Sequence, residues 1–438
     1  MNTKTLPQST VTTRWLNAGL TLDRFCKRQL SKKLNQLKEG YLEIFDLSAG
    51  AQENGQPYAQ SYAQTFGSPE SPLKARVLIR RSSAFSRIAL GGTIGTGESY
   101  VDGDWECEQL TQLVQIFALN RELLLDMDNG MGALLQPLQS FAHRLRRNSI
   151  QGSQQNIHAH YDVGNDFFAL FLDPTWMYSC GIFENDQSTL QEASIEKNNR
   201  ICQKLGLTSR DHLLEIGTGW GGFAIHAAKN FGCRVTTTTI SKEQFELAKK
   251  RVQEEGLSDK ITLLFEDYRK LEGQYDKLVS IEMIEAVGLK YLDTYFDKCS
   301  SLLKADGAML LQSIIIRDQY FEQAKHSVDF IQTHIFPGAG IPSVLSIADS
   351  VARKTDMRLF HQEDLTPHYA KTLNLWSKSL KEKEDQIVAL GYPAHLSKLW
   401  QYYFSYCEGG FLERSIGCVQ MVFEKPRSRK TPVFWRLS

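Results

Sequence analysis

The segment at residues 213–222, which reads LLEIGTGWGG, constrains the fold of this chain more than any other part of it. A short apolar run ends at Gly217 and Gly219, and helical periodicity over 223–230 follows directly. Glycine lets the backbone turn sharply and approach a ligand, because no Cβ stands in the way. The first turn of the helix then presents free N–H groups to a polar group. The segment predicts a strand, a tight turn and a helix, with a nucleotide-like ligand at the carboxyl end of the strand.

What the loop lacks narrows the choice of ligand. A turn of this kind can be only a turn, and the Walker pair of lysine and hydroxyl that serves phosphates is absent from 213–222. S-adenosylmethionine fits the loop, because this cofactor has no phosphate and the glycines make room for its amino-acid part. The loop therefore predicts either a plain turn or a site for that cofactor.

Composition limits the remaining possibilities. The 438 residues are enough for two or three domains, and the 50 basic and 50 acidic side chains cancel. A neutral chain gives no global electrostatic reason to expect nucleic acid. The eight cysteines are scattered without a CxxC pair, which argues against a zinc site or a disulfide framework and favours a reducing compartment. Without a signal-peptide core or an apolar run of membrane-spanning length, we expect a soluble protein that meets lipid only peripherally.

The first third of the chain predicts a smaller α+β domain. Residues 22–37 have the pattern of a basic helix, which suits a solvated surface as well as a contact with anionic lipid. Short strands are expected at 41–45 and 75–79, and further helices at 109–124 and 133–147. The polar segment that follows reads as a linker. We predict an N-terminal domain at 1–147, a linker at 148–156, a catalytic domain at 157–426 and a basic tail at 427–438.

Beyond the linker, strand-like and helical segments alternate. The candidate strands are 212–216, 234–240, 261–266, 277–282, 308–316 and 418–424. The helical stretches between them are 223–230, 242–255 and 291–303. This alternation predicts a mostly parallel sheet with helices on both faces. Two long helices at 369–390 and 394–414 precede the last strand and would roof a substrate pocket.

Six further motifs occur in a consistent order along 158–425. They read HYDVGNDFF at 160–168, MYSCGIF at 177–183, TISKEQ at 239–244, MIEAVG at 283–288, IFPG at 335–338 and YCEGGF at 406–411. With the glycine loop, they resemble the cyclopropane-fatty-acid synthases, which include the mycolic-acid cyclopropane synthases. The segment at 91–105 is similar to the small N-terminal domain of the longer members. The resemblance implies an α/β fold: a Rossmann-like class I methyltransferase domain with a mostly parallel seven-stranded sheet and a helical lid insertion.

The resemblance also implies an activity. Members of the family transfer a methyl group from S-adenosylmethionine to a cis double bond of a phospholipid acyl chain, remove a proton and close a three-membered ring. An alkene is a weak nucleophile, so the protein has to align it with the sulfonium methyl group and exclude water from the resulting cation. Aromatic faces suit such cations. Candidates include Tyr161, Phe168, Tyr178, Tyr369 and Trp376, although most such residues in a fold are ordinary core.

The cofactor site can be carried over position by position. By the resemblance, its contacts lie at Tyr178, Ser179, Gly217, Thr218, Gly219, Thr239, Ile240, Ser241, Gln244, Asp267 and Tyr268. The second strand ends in VTTTTI rather than in the acidic residue that many nucleotide-binding sheets use for the ribose hydroxyls. The resemblance explains that difference, because its members use hydroxyl and amide groups in this segment.

The expected proton-removing site departs from the family pattern. In the family a bound bicarbonate ion acts as the base, and its ligands would here be Glu285, Tyr369 and backbone groups of Cys180 and Ile314. The histidine position of the family is Gln312, which can donate a hydrogen bond but cannot carry a positive charge near neutral pH. We expect bicarbonate as a second cofactor, with weaker charge stabilisation. The alternative is loss of the proton elsewhere, which gives a methylated or methylenated chain without a ring.

Three more residues have competing interpretations. Cys407 matches a family cysteine often treated as an active-site residue, but a thiolate beside a sulfonium would invite self-methylation, and packing near the acyl tunnel is the alternative. His160 is expected to bond to backbone rather than to act in catalysis. Glu282 competes for the acidic role, but only Glu285 fits the family register. A catalytically silent lipid-binding protein with the same fold is the remaining alternative, and the intact glycine loop argues against it.

The implied substrate stays in a membrane. The expected partner is a phospholipid bilayer with unsaturated acyl chains, which the protein would meet from the cytoplasm, at the inner face of the membrane. Basic stretches with apolar flanks occur at 24–33, 143–147 and 425–438, and any of them could supply the contact. A homodimer is the default assembly, because two-fold dimers are the commonest oligomers.

Overall fold

The computed structural model describes residues 9–48, 63–123 and 163–429, with side chains from residue 21 onward in the first helix. The described residues form two compact units. One comprises 9–48, 63–123 and 393–413, and the other comprises 163–392 and 414–429. The predicted linker and the motif residues His160 and Tyr161 lie outside the described residues, as do the basic stretch at 143–147 and most of the tail. The predicted domain boundaries therefore stay predictions.

The first unit combines helices with a four-stranded sheet. Its elements are α1 (Ser9–Leu34), β1 (Tyr41–Asp46), β2 (Ala63–Gly67), β3 (Lys74–Ile79), α2 (Ser83–Val101), β4 (Trp105–Cys107), α3 (Leu110–Leu119) and a late helix, α15 (His395–Leu412). The strand order is β2-β1-β3-β4, with β1 and β3 parallel and the two outer pairs antiparallel. The helix α2 is kinked at Gly92, whose left-handed backbone (φ 53°) glycine tolerates.

The helix α15 packs within this first unit. Thr111 Oγ1 of α3 donates to Glu408 Oε2 of α15 at 2.9 Å, and Gly409 lies so close to Val114 that a Cβ would come within 2.7 Å of its side chain. A glycine at this point lets the two helices approach closely. The second of the two predicted long helices is thus real, but its role as a roof over a substrate pocket stays a prediction.

The second unit is a seven-stranded sheet with helices. Its strands are β5 (His212–Ile216), β6 (Arg234–Thr239), β7 (Ile261–Phe265), β8 (Tyr275–Ile281), β9 (Leu303–Ile316), β10 (Arg358–Asp364) and β11 (Ile416–Glu424). Its helices are α4 (Asn165–Phe168), α5 (Leu190–Leu205), α6 (Gly222–Phe231), α7 (Lys242–Glu254), α8 (Ile284–Val287), α9 (Leu292–Ser301), α10 (Asp318–Ala324), α11 (Phe330–His334), α12 (Val344–Lys354), α13 (Thr366–Glu382) and α14 (Glu384–Ala389).

The order of the strands creates the place for a ligand. The sheet runs β10-β11-β9-β8-β5-β6-β7, and the five strands from β9 to β7 are mutually parallel. From β5 the chain moves outward to β6 and β7, and it then returns to the other side of β5 at β8. Ligands of open α/β sheets bind at such a reversal, outside the carboxyl ends of the strands. The loops that follow β5 and β8 therefore flank the expected site.

The buried strands send alternate side chains into two hydrophobic clusters. Leu214, Leu278 and Leu311 belong to one cluster, whereas their neighbours Leu213, Val279 and Leu310 belong to the other. This alternation is expected for a sheet covered by helices on both faces. The predicted α/β fold with a mostly parallel seven-stranded sheet is confirmed. The candidate strands are found to within a few residues, and the edge strand β10, whose sequence RLFHQED is largely polar, was missing from them.

No helix in the described part of the chain is long and apolar enough to cross a bilayer.

Candidate active site

The glycine loop leaves β5 at the reversal of the sheet. The backbone N–H groups of Gly217 and Thr218 donate to the carbonyl of Thr238 on β6, at 3.1 and 2.9 Å, which ties the loop to the neighbouring strand. Gly217, Gly219 and Gly221 all have left-handed backbones, with φ of 96°, 50° and 84°. A side chain would strain each of these positions. The strand, tight turn and helix predicted from the sequence are present.

The loop has space and an unused polar atom where a ligand is expected. A Cβ built on Gly219 meets no atom within 4 Å. Thr218 is buried, and its Oγ1 finds no hydrogen-bond partner among the described residues. Buried polar atoms in folded proteins are nearly always paired, so an orphan beside open space points to a missing ligand. These two observations fit the cofactor predicted at this loop.

The segment after β6 carries the predicted hydroxyl and amide groups. Thr239 Oγ1 donates to Gln244 Oε1 at 2.9 Å, and Ser241 caps α7 by accepting from the N–H of Gln244 at 3.3 Å. Ile240 lies between them at the end of the strand. The structure therefore brings this group together on the same edge of the sheet as the glycine loop, and holds its side chains in defined positions through local hydrogen bonds.

Two predicted contacts follow β7. Asp267 receives two hydrogen bonds from the Arg269 guanidinium, at 2.8 and 2.6 Å, and also caps the short helical turn Tyr268–Lys270. The ring of Tyr268 packs edge-on against Tyr295, with 5.5 Å between centroids. The bidentate ion pair fixes the carboxylate. Asp267 and Tyr268 are thus held at the carboxyl end of a third strand.

The segment before α5 contributes an aromatic residue and a buried cation. The ring of Tyr178 packs among Phe168, Phe171 and Trp376, with centroids 5.2 to 6.1 Å away. Ser179 Oγ accepts a hydrogen bond from Lys197 Nζ at 3.2 Å, and the Lys197 side chain is fully buried. Burial lowers the pKa of Lys197 to about 8. This lysine was not predicted, because in the sequence it lies in an ordinary amphipathic helix.

Glu282 is the point where the predicted proton-removing groups meet. Its Oε1 accepts from the backbone N–H of Cys180 at 2.9 Å and from Gln312 Nε2 at 2.7 Å, and its Oε2 accepts from the hydroxyl of Tyr369 at 2.5 Å. Burial raises the pKa of Glu282. The residue directly follows β8 and has a left-handed backbone (φ 50°), a conformation that costs a non-glycine residue about 1–2 kcal/mol.

Glu285 lies three residues further on, in α8, and has different partners. Its Oε1 accepts from the backbone N–H of Ile314 at 2.6 Å and from Ser313 Oγ at 3.0 Å, both on β9. Its Oε2 is buried and has no hydrogen-bond partner among the described residues. Burial, and after it the charge of Glu282, raises the pKa of Glu285 to about 8. A carboxyl group of this kind holds its proton at neutral pH.

The structure thus distributes the predicted catalytic residues over two carboxyl groups. Glu282, which the sequence analysis ranked below Glu285, accepts hydrogen bonds from Cys180, Gln312 and Tyr369. Glu285 accepts one from Ile314. Cys407 lies on α15, in the first unit, and is half-buried. Any catalytic role for Cys407 stays a prediction.

A polar path behind Gln312 was not foreseen from the sequence. Lys204 Nζ, with a side chain that is 2% exposed, pairs with Glu363 and donates to Gln420 Oε1 at 2.6 Å. Gln420 Nε2 donates to Gln312 Oε1 at 2.9 Å. Gln312 and Gln420 are direct partners in the β9–β11 register. Two glutamines inside otherwise apolar strands were the available signal for this path.

Glu215 on β5 is a further buried carboxyl group, and it predicts a pH-dependent stability. It accepts from Thr237 Oγ1 at 2.6 Å, and burial raises its pKa from 4.5 to about 8. Between these values the native state keeps a proton that the unfolded chain releases, so this group's contribution to stability falls as pH rises. Glu215→Gln removes that slope, which can reach about 1.4 kcal/mol per pH unit. Between pH 5.5 and pH 7.5, the unfolding free energy of the variant should gain about 2.5 kcal/mol relative to that of the parent, measured by denaturation at both pH values.

The control for this measurement is Glu246→Gln, which removes one carboxylate from the exposed face of α7. The unfolding free energy of this control should change between the two pH values by the same amount as that of the parent. Equal pH dependence of the parent and of Glu215→Gln would show that Glu215 does not hold its proton in the native state.

The fold and the site together define an S-adenosylmethionine-dependent methyltransferase, and the comparisons agree. The family model described as Mycolic acid cyclopropane synthetase matches residues 148–421. The structure resembles that of the cyclopropane synthase MmaA2 from Mycobacterium tuberculosis, with a TM-score of 0.58 and 31% identity, over 62% of this chain and 98% of that chain. It resembles CmaA1 complexed with SAH and CTAB equally well, with a TM-score of 0.58 and 32% identity, over 62% and 98% of the two chains.

Two curated relatives cover most of the chain. The tuberculostearic acid methyltransferase UfaA1 of Mycobacterium tuberculosis is 34% identical over 362 residues, which are 81% of this chain and 83% of that protein. The cyclopropane-fatty-acyl-phospholipid synthase of Escherichia coli K12 is 34% identical over 363 residues, 80% of this chain and 88% of that protein. The chain belongs to the mycolic acid cyclopropane synthetase family, and it transfers a one-carbon group from S-adenosylmethionine to fatty acyl chains.

Proposed function

We propose that the substrate is the cis double bond of an unsaturated phospholipid acyl chain, and that the product is a cyclopropane fatty acid. The observation that supports this proposal best is the buried pair of Glu282 and Glu285 beside the glycine loop. Donors surround the carboxylate of Glu282, whereas burial raises the pKa of Glu285 to about 8, an arrangement that suits a base beside an acid. The Escherichia coli relative named for this activity supports the same substrate.

The residues of the site divide the work. Bound S-adenosylmethionine would supply an electrophilic methyl group. The glycine loop, Ser179, the group at 239–244 and the pair Asp267–Tyr268 would hold it, with Thr218 Oγ1 as a donor still in need of a partner. The aromatic rings of Tyr178 and Trp376 would line the path of the alkene and exclude water from the cation formed on it.

Bicarbonate does not fit the donors that were expected to hold it. The backbone N–H of Cys180, the Gln312 amide and the Tyr369 hydroxyl already bond to the carboxylate of Glu282, and the N–H of Ile314 bonds to Glu285. A second anion at the same point would be repelled by Glu282 and would find these donors used. We therefore propose no step through bicarbonate.

A second candidate product keeps an alkene. Its support is the tuberculostearic acid methyltransferase of Mycobacterium tuberculosis, which is as similar to this chain as the cyclopropane synthase of Escherichia coli is. In this case the cation loses a proton from a neighbouring carbon instead of closing a ring. The reaction up to the cation, and the residues that serve it, would be the same.

One experiment separates these outcomes. The purified protein is incubated with vesicles of cis-unsaturated phospholipid and methyl-labelled S-adenosylmethionine, and the released fatty acids are examined by mass spectrometry. A gain of one CH2 with loss of the alkene supports the cyclopropane product. A gain of one CH2 with the alkene retained rejects it and supports the second candidate. No label in lipid, together with no binding of S-adenosylmethionine in calorimetry, would favour a silent lipid-binding protein.

We favour the exposed face of α1 as the part of the protein that contacts the bilayer. Leu22 and Phe25 are 44% and 52% exposed, and they share that face with the exposed cations Arg24, Arg28 and Lys32. Apolar side chains among cations on one helix face suit an anionic membrane surface. Arg24→Gln with Arg28→Gln should weaken binding to vesicles containing anionic lipid about 30-fold, because each cation near such a surface contributes about 1 kcal/mol. A sedimentation assay at several salt concentrations measures this change.

The matched control removes two exposed cations elsewhere. Lys249→Gln with Lys250→Gln on α7 makes the same change in net charge. Equal losses in the two double variants would show that total charge, rather than the α1 face, governs vesicle binding.

A further inference from the structure

Glu282 accepts hydrogen bonds from groups that the family resemblance assigns to a separate anion. Three groups expected to hold bicarbonate donate instead to its two carboxylate oxygens, at 2.5 to 2.9 Å. A carboxylate presents two oxygens and a negative charge in a plane, as bicarbonate does, so the same donors serve both. We infer that the Glu282 carboxylate is itself the base that removes the proton from the methylated acyl chain. This inference rests on the proposed function.

The backbone at Glu282 supports a functional reason for this side chain. Its φ of 50° lies in the left-handed region that glycine adopts readily. Strained residues of this kind persist where the surrounding structure holds them, and they cluster at active sites. Here the surrounding structure is the set of three donors, together with the backbone N–H of Glu282 donating to the carbonyl of Gln312 at 2.8 Å.

The polar path behind Gln312 fixes which of its ends faces the carboxylate. A lysine can only donate, so Lys204 orients Gln420 with its oxygen toward the lysine and its nitrogen toward Gln312. Gln312 must then accept at its oxygen and donate through its nitrogen to Glu282. A glutamine suits donation to a carboxylate because its amide donates at every pH. This property explains why a glutamine stands where the family has a histidine.

Of the two neighbouring carboxyl groups, Glu282 and Glu285, only one holds a proton. Glu282 faces the hydroxyl of Tyr369, the thiols of Cys180 and Cys418, the cation of Lys197 and the carboxyl group of Glu285. Donors reach both oxygens of Glu282, which favours its ionised form, whereas one oxygen of Glu285 has no donor among the described residues. The proton therefore stays on Glu285, and Glu282 is free to accept another. Burial raises the pKa of Glu282, which makes it a stronger base.

The step balances without a further reactant. The π electrons of the alkene form a bond to the methyl carbon while the carbon–sulfur bond breaks and leaves its electron pair on sulfur. The cation then loses a proton to Glu282, and the freed C–H electrons close the ring or form a new alkene. Glu282 ends protonated and returns its proton to water when the product leaves.

Two variants and added bicarbonate test the inference. Glu282→Gln keeps the size of the side chain but cannot accept a proton, and it should lose at least about 100-fold in rate while S-adenosylmethionine affinity in calorimetry changes less than about threefold. Glu282→Gly suits the left-handed backbone and frees the three donors. It should regain activity at least about tenfold when bicarbonate is added, whereas the parent should be indifferent to bicarbonate removal and addition.

Binding gives a readout that does not depend on activity. In titrations followed by carbon-13 NMR, the signal of labelled bicarbonate should broaden on binding to Glu282→Gly, and it should not broaden with the parent. Bicarbonate binding to the parent, loss of parent activity on bicarbonate depletion, or full activity of Glu282→Gln would each overturn the inference. If the proposed function fails instead, no labelled methyl group reaches lipid with the parent or with any variant. The difference in bicarbonate binding between Glu282→Gly and the parent would still be seen.

Discussion

Replacing Gly219 by leucine is expected to abolish useful binding of S-adenosylmethionine while the fold survives. A Cβ at this position enters open space beside the loop, so the leucine side chain starts without a clash in the ligand-free protein. The same space is where the cofactor is expected, and the side chain would exclude it. We expect at least a 100-fold loss of affinity, about 2.7 kcal/mol, measured by calorimetry.

The control for this variant is Gly256→Leu. Gly256 also has a left-handed backbone (φ 67°) and also has no atom within 4 Å of a built Cβ, but it lies at the far end of α7. Both variants therefore bear a similar backbone strain, and thermal denaturation should show similar losses of stability. Equal cofactor affinity in the two variants would place the cofactor away from the glycine loop.

Replacing Lys204 by methionine is expected to weaken both the fold and the base. The buried ammonium pairs with Glu363 and orients Gln420, and methionine fills a similar volume without either bond. Removing one partner of a buried pair costs about 3 kcal/mol, although Arg200 continues to pair with Glu363. The amides of Gln420 and Gln312 become free to rotate. We expect the methyl-transfer rate to fall about tenfold, a loss of one hydrogen bond to a charged group.

The pH profile distinguishes a positioning role from a loss of stability alone. When the oxygen of Gln312 turns toward Glu282, the carboxylate loses a donor and its pKa rises. A base must be unprotonated to act, so the acidic limb of the rate profile should move to higher pH in Lys204→Met. Arg200→Met removes the half-exposed partner of Glu363 and leaves the bond from Lys204 to Gln420 intact. An acidic limb that is the same in both variants and the parent would contradict the positioning role.

The sequence predicted the fold well because the information was local. Runs of apolar or β-branched residues marked the buried strands of the second unit, whereas the edge strand β10 is largely polar and has no such signature. The glycine spacing on its own does not separate a site for S-adenosylmethionine from a site for a dinucleotide. Gly222 stands three residues after Gly219, so the loop on its own also satisfies the dinucleotide fingerprint. The ordered motifs beyond the loop identified the family.

The site was harder to predict because its partners are distant in the chain. The motif register pointed to Glu285, and only the folded sheet shows that Cys180, Gln312 and Tyr369 reach Glu282 instead. The left-handed backbone that turns the Glu282 side chain toward them is a tertiary outcome. Lys204 and Gln420 are 216 residues apart, and no periodicity or spacing connects them.

The pairing of Gln420 with Gln312 has a consequence for how the enzyme matures. The strand that carries Gln420 inserts beside β9 only after every other part of the catalytic apparatus has been synthesised. The strands around the glycine loop, β5 to β8, are synthesised well before residue 420, and domains fold progressively during synthesis. Gln312, which donates to Glu282, lacks its partner Gln420 until then. The loop expected to hold the cofactor can therefore take shape before the hydrogen-bond path to Glu282 is complete, and among the described strands β11 is the one that completes it.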